Sequence, residues 1–518
     1  MTRDPDDRTT SPSASPVPDE PRTTTLDDLA LLLGDALRAA SPRGNRCVIT
    51  GVSDDSRTVR PGDLYAALPG NSFHGISFDA DAARRGAVAI LSDRPSRYLP
   101  TLVVEDPRRW VGPLASRVHR HPSRAMDVHG ITGTNGKTSA TYLLDAALGT
   151  LGVVTGMISG VTVRGPGGAR PATRTTPEAA VLQRILAEFR DQDVGAVPME
   201  VSSHAIVQGR VDGVWFRTVA FTNLGPDHLD FHGTMDRYFA AKAALFTPDR
   251  AQAAVVNLDD EYARRLAAHA EMPVWTHSTN ATQADLYADE ISCGSDGTDF
   301  SLHTHDGHAR VRLSLLGPHQ VGNALTALTS LAAVGADVLG AAAGLETLRG
   351  VPGRLERIDA GQDFLALVDY MHNTSGQREL LPFLRSLTAG GRLILVIGAT
   401  GDRDPGKRFP LGHTAATYAD LVVVTDESPF SENPQRLRAA VAEGAREAGG
   451  AEVVVEPDRR RAFDLAVAFA TGGDVLVVAG RGSDLQQTFG STTKEFDDRR
   501  QLRAALQRGA DVEPRGAI

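Results

Sequence analysis

Gly130-Ile131-Thr132-Gly133-Thr134-Asn135-Gly136-Lys137-Thr138 decides how the chain is read. The residues before it, 126–131, read as a strand, and an apolar helix is expected to begin near Ser139. A strand that runs through a glycine-rich turn into a helix is the setting of a phosphate-binding loop. Glycines let backbone N–H groups curl around phosphate oxygens, and the helix N-terminus adds a favourable dipole. Gly133, Thr134, Asn135 and Gly136 form the expected cradle; Lys137 reaches for β- and γ-phosphates and the Thr138 hydroxyl for Mg2+. The strict Walker spacing fails at its first glycine, where Ile131 stands. The loop indicates a nucleoside triphosphate and leaves the reaction open.

Beyond the loop, apolar runs at 195–199, 219–223, 253–257 and 274–276 alternate with helical stretches, the pattern of a mainly parallel sheet covered on both faces. Upstream, a helical pattern over 26–37 precedes strand-like segments at 48–52, 63–68, 87–91 and 102–104. Downstream, the turn-rich Gly350-Val351-Pro352-Gly353-Arg354 opens a second alternation, with strands at 365–368, 393–397, 421–425, 453–455 and 475–479. The expected division of this α/β chain is a disordered tail (1–22) and three domains (23–124, 125–350 and 351–518).

Composition narrows the classes. At 518 residues the chain exceeds one hydrophobic core, and 41% hydrophobic with 23% charged residues is ordinary globular content. A net charge of -10, with both signs mixed along the chain, argues against nucleic-acid binding. Cys47 and Cys293 form no CxxC pair, so neither a disulfide framework nor a zinc site is expected, which fits a reducing cytoplasm. No apolar run approaches the roughly 20 residues of a membrane helix, so no membrane insertion is expected. Residues 1–22, rich in Thr, Ser, Pro and Asp, lack the apolar core of a signal peptide.

Further motifs agree in order with the loop. TGTNGKT is joined by Asp55-Ser56-Arg57-Thr58-Val59-Arg60-Pro61-Gly62-Asp63-Leu64, Thr175-Thr176-Pro177-Glu178, Met199-Glu200-Val201-Ser202-Ser203-His204 and Asp227-His228-Leu229-Asp230. Ala241-Lys242-Ala243-Ala244-Leu245-Phe246, Asn257-Leu258-Asp259-Asp260, GVPGRLE (350–356), Gly401-Asp402-Arg403-Asp404 and Phe496-Asp497-Asp498-Arg499 continue the series. Together they resemble the Mur ligase family, in particular the subgroup that adds the third residue of the muramoyl peptide. The resemblance implies a UDP-binding N-terminal domain, a central P-loop ATPase and a C-terminal Rossmann-like domain that carries an amino acid. It also implies that ATP phosphorylates the terminal carboxylate of a UDP-N-acetylmuramoyl peptide and that the amino acid then attacks the acyl phosphate.

By the same resemblance Thr138, Glu200, His228 and Lys242 surround Mg2+, with Lys242 carbamylated by CO2; its plain alternative is an exposed helix lysine. Glu200 and His228 follow strands, where parallel sheets place ligands; the alternatives are a solvated strand-end acid and a capping or core histidine. Asn323 resembles the residue that reads adenine, and Arg354 and Asp369 the third domain's contribution to ATP. Ser56, Thr175, Thr176, Ser202 and Arg210 match acceptor-binding positions.

The third domain departs from the pattern. DYAHTPD reads Asp369-Tyr370-Met371-His372-Asn373-Thr374-Ser375, DNPR reads Glu427-Ser428-Pro429-Phe430, and GKGHE reads Gly480-Arg481-Gly482-Ser483-Asp484. The position whose arginine grips the distal carboxylate of diaminopimelate is Phe430, while Glu427 and Asp484 keep the neighbourhood acidic and Gly480 is a further expected substrate-binding position. A basic or less polar amino acid is therefore expected, unless Arg481 reaches in from its own loop. The rewritten pocket leaves open a Mur-type ligase of specialised metabolism with a different acceptor. The other competing functions are a related ligase of folylpolyglutamate or cyanophycin type, which lacks the UDP domain, and a nucleotide-gated binding protein without catalysis. The DSRxVxPGDL segment and the retained Lys137, Glu200, His228 and Lys242 speak against these last two.

Overall fold

The computed structural model describes residues 23–40, 47–70, 72–388 and 390–510, so the expected tail lies outside the described residues. Among these, the central sheet has eleven strands. Asp127–Thr132 lies at its middle, flanked by Ala196–Glu200 on one side and by Phe216–Phe221, Ala251–Asn257 and Val274–Ser278 on the other, all parallel. Parallel strands covered on both faces need apolar residues on both faces. Val128 accordingly enters one core with Val197, Val219 and Val256, and Ile131 the opposite core with Leu143, Ala220 and Val255. The registers Glu200↔Ile131 and Phe221↔Thr132 bring the carboxyl ends of three strands out together, beside the phosphate loop.

The sheet is mainly parallel, as expected, and turns antiparallel at both edges. Met157–Ile158, Thr162–Gly165 and Gly168–Pro171 form an antiparallel flap on one side. On the other, Leu286–Gly294, Gly297–Thr304 and Gly307–Leu313 form a meander of two hairpins. Asp296-Gly297 and Asp306-Gly307, each followed by an alternating strand, are the signal that marks these turns in the sequence.

The N-terminal sheet runs in the order Leu37–Ala40, Thr101–Val104, Ala89–Ser92, Asp63–Ala66, Gly51–Ser53, parallel except for its first pair. The helix expected over 26–37 is shorter. Thr25 and Asp28 close a capping box at its start, and Gly34, at φ 49, ends Leu26–Leu33 so that Leu37 begins an edge strand. The expected strand 48–52 is two pieces, since Val48–Ile49 pairs with Thr24–Thr25 and Gly51–Ser53 joins the sheet. In the third unit the strands Leu365–Val368, Val475–Val478, Leu393–Ile397, Leu421–Val424 and Glu452–Val455 are parallel neighbours in that order. Among the described residues no helix is long and apolar enough to cross a membrane.

Candidate active site

The phosphate loop leaves the central strand at Thr132, and its helix, Lys137–Thr150, starts two residues before the expected Ser139. Gly133 (φ 146) and Gly136 (φ 86) carry the turn, and a Cβ on either would collide, with Thr222 Oγ1 or with Asn323 Oδ1. Residues just past Phe221 brace the loop from behind. Thr222 Oγ1 donates to the Asn135 carbonyl at 2.6 Å, and Asn135 N–H donates to Asn223 Oδ1 at 2.9 Å. Thr134 Oγ1 accepts the Gly225 N–H at 3.0 Å and lies 3.2 Å from the Tyr238 hydroxyl.

Two lysines converge on this loop. Lys137 Nζ donates to the Gly133 and Thr134 carbonyls, both at 2.9 Å, filling the concavity with its own ammonium. Lys242 comes from the helix Met235–Ala243 beneath the loop and is 1% exposed, so the exposed-lysine alternative is wrong. Its Nζ donates to the Gly133 carbonyl at 2.8 Å and lies 4.8 Å from the centre of the Tyr238 ring. Burial, and then the positive Lys137, push its pKa well below the ordinary lysine value.

Glu200 is the last residue of its strand and buried rather than solvated; its Oε1 accepts the Gly160 N–H at 2.6 Å. His228, at φ 54, caps no helix through its side chain and opens onto the cleft. Burial lowers its pKa to about 4, more than the adjacent Asp227 raises it, so the imidazole is neutral at pH 7. Thr176 Oγ1 donates to the Glu200 carbonyl at 2.9 Å and accepts the Ser202 N–H at 3.0 Å. Arg210 donates to the Thr176 carbonyl at 3.3 Å and pairs with Glu178 at 3.1 Å.

The third unit closes the cleft. Arg354 Nη2 donates to Thr138 Oγ1 at 3.1 Å, with the guanidinium 4.5 Å above the Tyr370 ring. Asp369 is 4% exposed and accepts the Leu355 and Met371 N–H groups, both at 2.7 Å, while burial raises its pKa. Asp227 receives Asn373 Nδ2 at 3.0 Å and faces His372 Nε2 at 3.4 Å.

The resulting cleft encloses about 250 Å3. It brings together Thr134, Asn135, Gly136, Lys137, Thr138, Thr175, Glu200, Ser202, His228, Asn323, Arg354, Asp369 and Asp484 from the sequence reading. Gly133 and Lys242 lie behind its floor, and Thr176 and Arg210 behind Glu200 and Ser202. Gly480 N–H donates to the Asp369 carbonyl at 3.2 Å, also outside the lining. Glu427 is buried: Oε2 accepts Thr400 Oγ1 at 2.7 Å, and Oε1 has no partner. Phe430 sits apart at φ 50, its backbone bridged to Phe489. Ser56 belongs to the N-terminal sheet's loops, next to the Tyr65 hydroxyl.

Arg481 does not reach into the amino-acid region. It is buried, donating to the carbonyls of Phe496 at 2.8 Å and Gln486 at 3.0 Å and pairing with Asp498. The base that the sequence reading overlooked is Arg403, whose guanidinium stands 6.0 Å from the centre of the Phe430 ring. Asp227, His372 and Asn373 were also missed as one group, although two of the quoted motifs contain them. Among the described residues no group of three or more His, Cys, Asp and Glu is arranged to hold a metal.

A phosphate loop at the carboxyl edge of one parallel sheet, met by an arginine from the turn that leads into a second, defines a nucleotide-dependent α/β enzyme whose site is shared between domains. The chain belongs to the Mur ligase family, and is thus an ATP-dependent carbon–nitrogen ligase: models of the family's catalytic domain, middle domain and glutamate ligase domain match residues 48–118, 131–331 and 353–482. It is 45% identical over 487 residues to the UDP-N-acetylmuramoyl-L-alanyl-D-glutamate--2,6-diaminopimelate ligase of Streptomyces coelicolor, covering 92% of this chain and 96% of that protein. It is 39% identical over 512 residues to the UDP-N-acetylmuramyl-tripeptide synthetase of Leifsonia xyli, covering 96% and 99%. A solved UDP-N-acetylmuramoyl-L-alanyl-D-glutamate--2,6-diaminopimelate ligase superposes with TM-score 0.66 at 27% identity, covering 94% of this chain and 99% of that one. The folylpolyglutamate synthase of Mycobacterium tuberculosis complexed with ADP shares the fold, with TM-score 0.61 at 22% identity over 73% of this chain and 93% of that one.

Proposed function

We propose that the ligase joins an amino acid to the terminal carboxylate of a UDP-N-acetylmuramoyl dipeptide in the cytoplasm, with ATP and Mg2+ in the shared cleft. The observation that carries this reading is Arg354 of the third unit resting on Thr138 of the phosphate loop, which ties the nucleotide site to domain docking. Residues 23–124 would hold the UDP end, with Ser56; 125–350 the nucleotide, with Asn323 at the adenine; and 351–518 the amino acid.

The donor set fits Mg2+. Thr138 supplies a hydroxyl, Glu200 a carboxylate and His228 a neutral imidazole, and Mg2+ takes few protein ligands when phosphates and water complete its shell. When bound, Mg2+ neutralises phosphate charge and holds the γ-phosphoryl in line. Lys137 leaves the Gly133 and Thr134 carbonyls for the β- and γ-phosphates, and Arg354 adds a second cation from the docked domain. Thr175, Ser202 and Arg210 would orient the acceptor. Its carboxylate attacks the γ-phosphorus, the bond to ADP breaks, and an acyl phosphate forms. The amino group attacks the acyl carbon, expelling phosphate and giving up a proton. Lys242, buried and inclined to the neutral amine, is suited to attack CO2; an N–C bond forms, a proton leaves, and the carbamate offers oxygen where an ammonium would repel the metal.

For the incoming residue we favour a distal cation. Phe430 has no donor for a carboxylate, and Glu427 Oε1 is buried without a partner. A second reading, diaminopimelate, is favoured by the names of the relatives and by Arg403 above Phe430. The test is phosphate release and product mass with UDP-N-acetylmuramoyl-L-alanyl-D-glutamate and a panel of diaminopimelate, lysine, ornithine and apolar amino acids. Phosphate release that responds to none of the panel would overturn the acceptor assignment.

A further inference from the structure

Asp227 does more than flank His228. Its Oδ1 accepts the His228 backbone N–H at 2.9 Å, and its Oδ2 accepts Asn373 Nδ2 at 3.0 Å, across the domain boundary. His228 is held at φ 54, in the left-handed region, where a residue with a Cβ stays only if its surroundings hold it. Asn373 is 4% exposed, so water does not compete freely for its amide. Its other end is equally committed: Oδ1 accepts the Gly376 N–H at 2.7 Å and caps the helix Thr374–Ser386. One amide therefore joins the first turn of a third-domain helix to a central-domain carboxylate, and that carboxylate to the backbone of His228.

We propose that Asn373 is a positioning residue: its bond to Asp227 makes the placement of the His228 imidazole depend on docking of the third domain. The proposal rests on the reading of His228 as a residue of the metal side of the site. Docking then does two things at once, bringing Arg354 to Thr138 and setting the imidazole for the metal. A central domain with the third domain swung away would hold the metal weakly, and ATP would not be spent before the amino-acid domain arrives.

Asn373→Asp separates this role from capping. Aspartate caps a helix as well as asparagine does, but it has no donor for Asp227 and sets a second carboxylate against it. Asn373→Ser keeps a cap and loses the reach. In both variants kcat, and the affinity for Mn2+ read by electron paramagnetic resonance with a non-hydrolysable ATP analogue present, should fall about tenfold or more, as when a residue orienting a metal ligand is lost. Asn373→Ser adds no charge and should melt close to the wild type, while the facing carboxylates of Asn373→Asp should lower its melting temperature. Unchanged kcat and Mn2+ affinity in either variant would overturn the proposal, as would losses in Asn373→Ser that merely follow a lowered melting temperature. His228→Ala separates the two readings. If it leaves Mn2+ affinity unaltered, the metal role of His228 fails; if it weakens Mn2+ while Asn373→Asp does not, the positioning role fails.

Discussion

Gly136 is where a single methyl group should be felt most, and the same helix contains its own control. Gly136 is the N-cap of Lys137–Thr150 at φ 86, a conformation that costs an L-residue about 1–2 kcal/mol. An added Cβ would also lie 3.3 Å from Asn323 Cγ and press still closer on its Oδ1. That oxygen is backed by a chain of contacts, since Asn323 Nδ2 donates to Gln320 Oε1 at 3.0 Å within a buried helix face, so it cannot simply swing away. Strain and contact together put Gly136→Ala at a loss of about 2–3 kcal/mol. For a unit of this size that is a melting shift of about 4–12 °C. Because the displaced atoms line the nucleotide cleft, kcat/KM for ATP should fall about tenfold or more, the equivalent of 1.4 kcal/mol. Gly149, exposed near the other end of the helix with nothing within 4 Å of its would-be Cβ, should respond oppositely. Gly149→Ala is expected to stabilise by about 0.5–1 kcal/mol and to leave ATP kinetics alone. Calorimetry and steady-state kinetics on the pair are the assay. A Gly136→Ala protein with wild-type melting and wild-type kcat/KM for ATP would refute the placement of the loop against Asn323.

Lys242→Ala should be nearly inactive and partly restored by short carboxylic acids that return oxygen to the vacated space; full activity in CO2-depleted buffer would end the carbamate reading. In the amino-acid panel, Phe430→Arg should raise kcat/KM for diaminopimelate about 10–100-fold, the worth of one charge-assisted contact. If the wild type already prefers diaminopimelate and Arg403→Ala removes that preference, Arg403 is the carboxylate's partner and the inference from Phe430 fails. His129 and His277 are fully buried, bonded to Thr218 and Thr326 hydroxyls, and held by burial at about 4 against an ordinary 6.5. The unfolded chain binds these protons first, so the contribution of this pair should be level above pH 6.5 and fall as pH drops toward 4. Urea midpoints between pH 4 and 8 measure this, and a midpoint that did not move below pH 6.5 would contradict it.

The local order of elements, and with it the class of fold, was readable because parallel strands buried on both faces must be written as unbroken apolar runs. Leu365–Val368 and Leu393–Ile397 were legible to the residue for that reason. The phosphate loop was legible too, since its glycines answer to backbone geometry within nine residues of chain. What periodicity could not reveal was pairing at the sheet edges, where hairpins follow turn chemistry and exposure rather than continuous burial. Nor could it decide which side chains meet across long separations. Lys242 looks in sequence like any helix lysine, and only tertiary packing buries it against the Gly133 carbonyl. Arg481 looked free to enter the amino-acid region, but packing commits it to three carbonyls and Asp498, while Arg403 takes the place above Phe430. Asp227 and Asn373 are 146 residues apart, and nothing in either local segment encodes their bond. The sequence by itself determined the elements and the turn of the loop, because these depend on neighbours along the chain. The tertiary structure decided the protonation of the buried groups and the joining of the two domains, because desolvation and hydrogen bonding depend on neighbours in space.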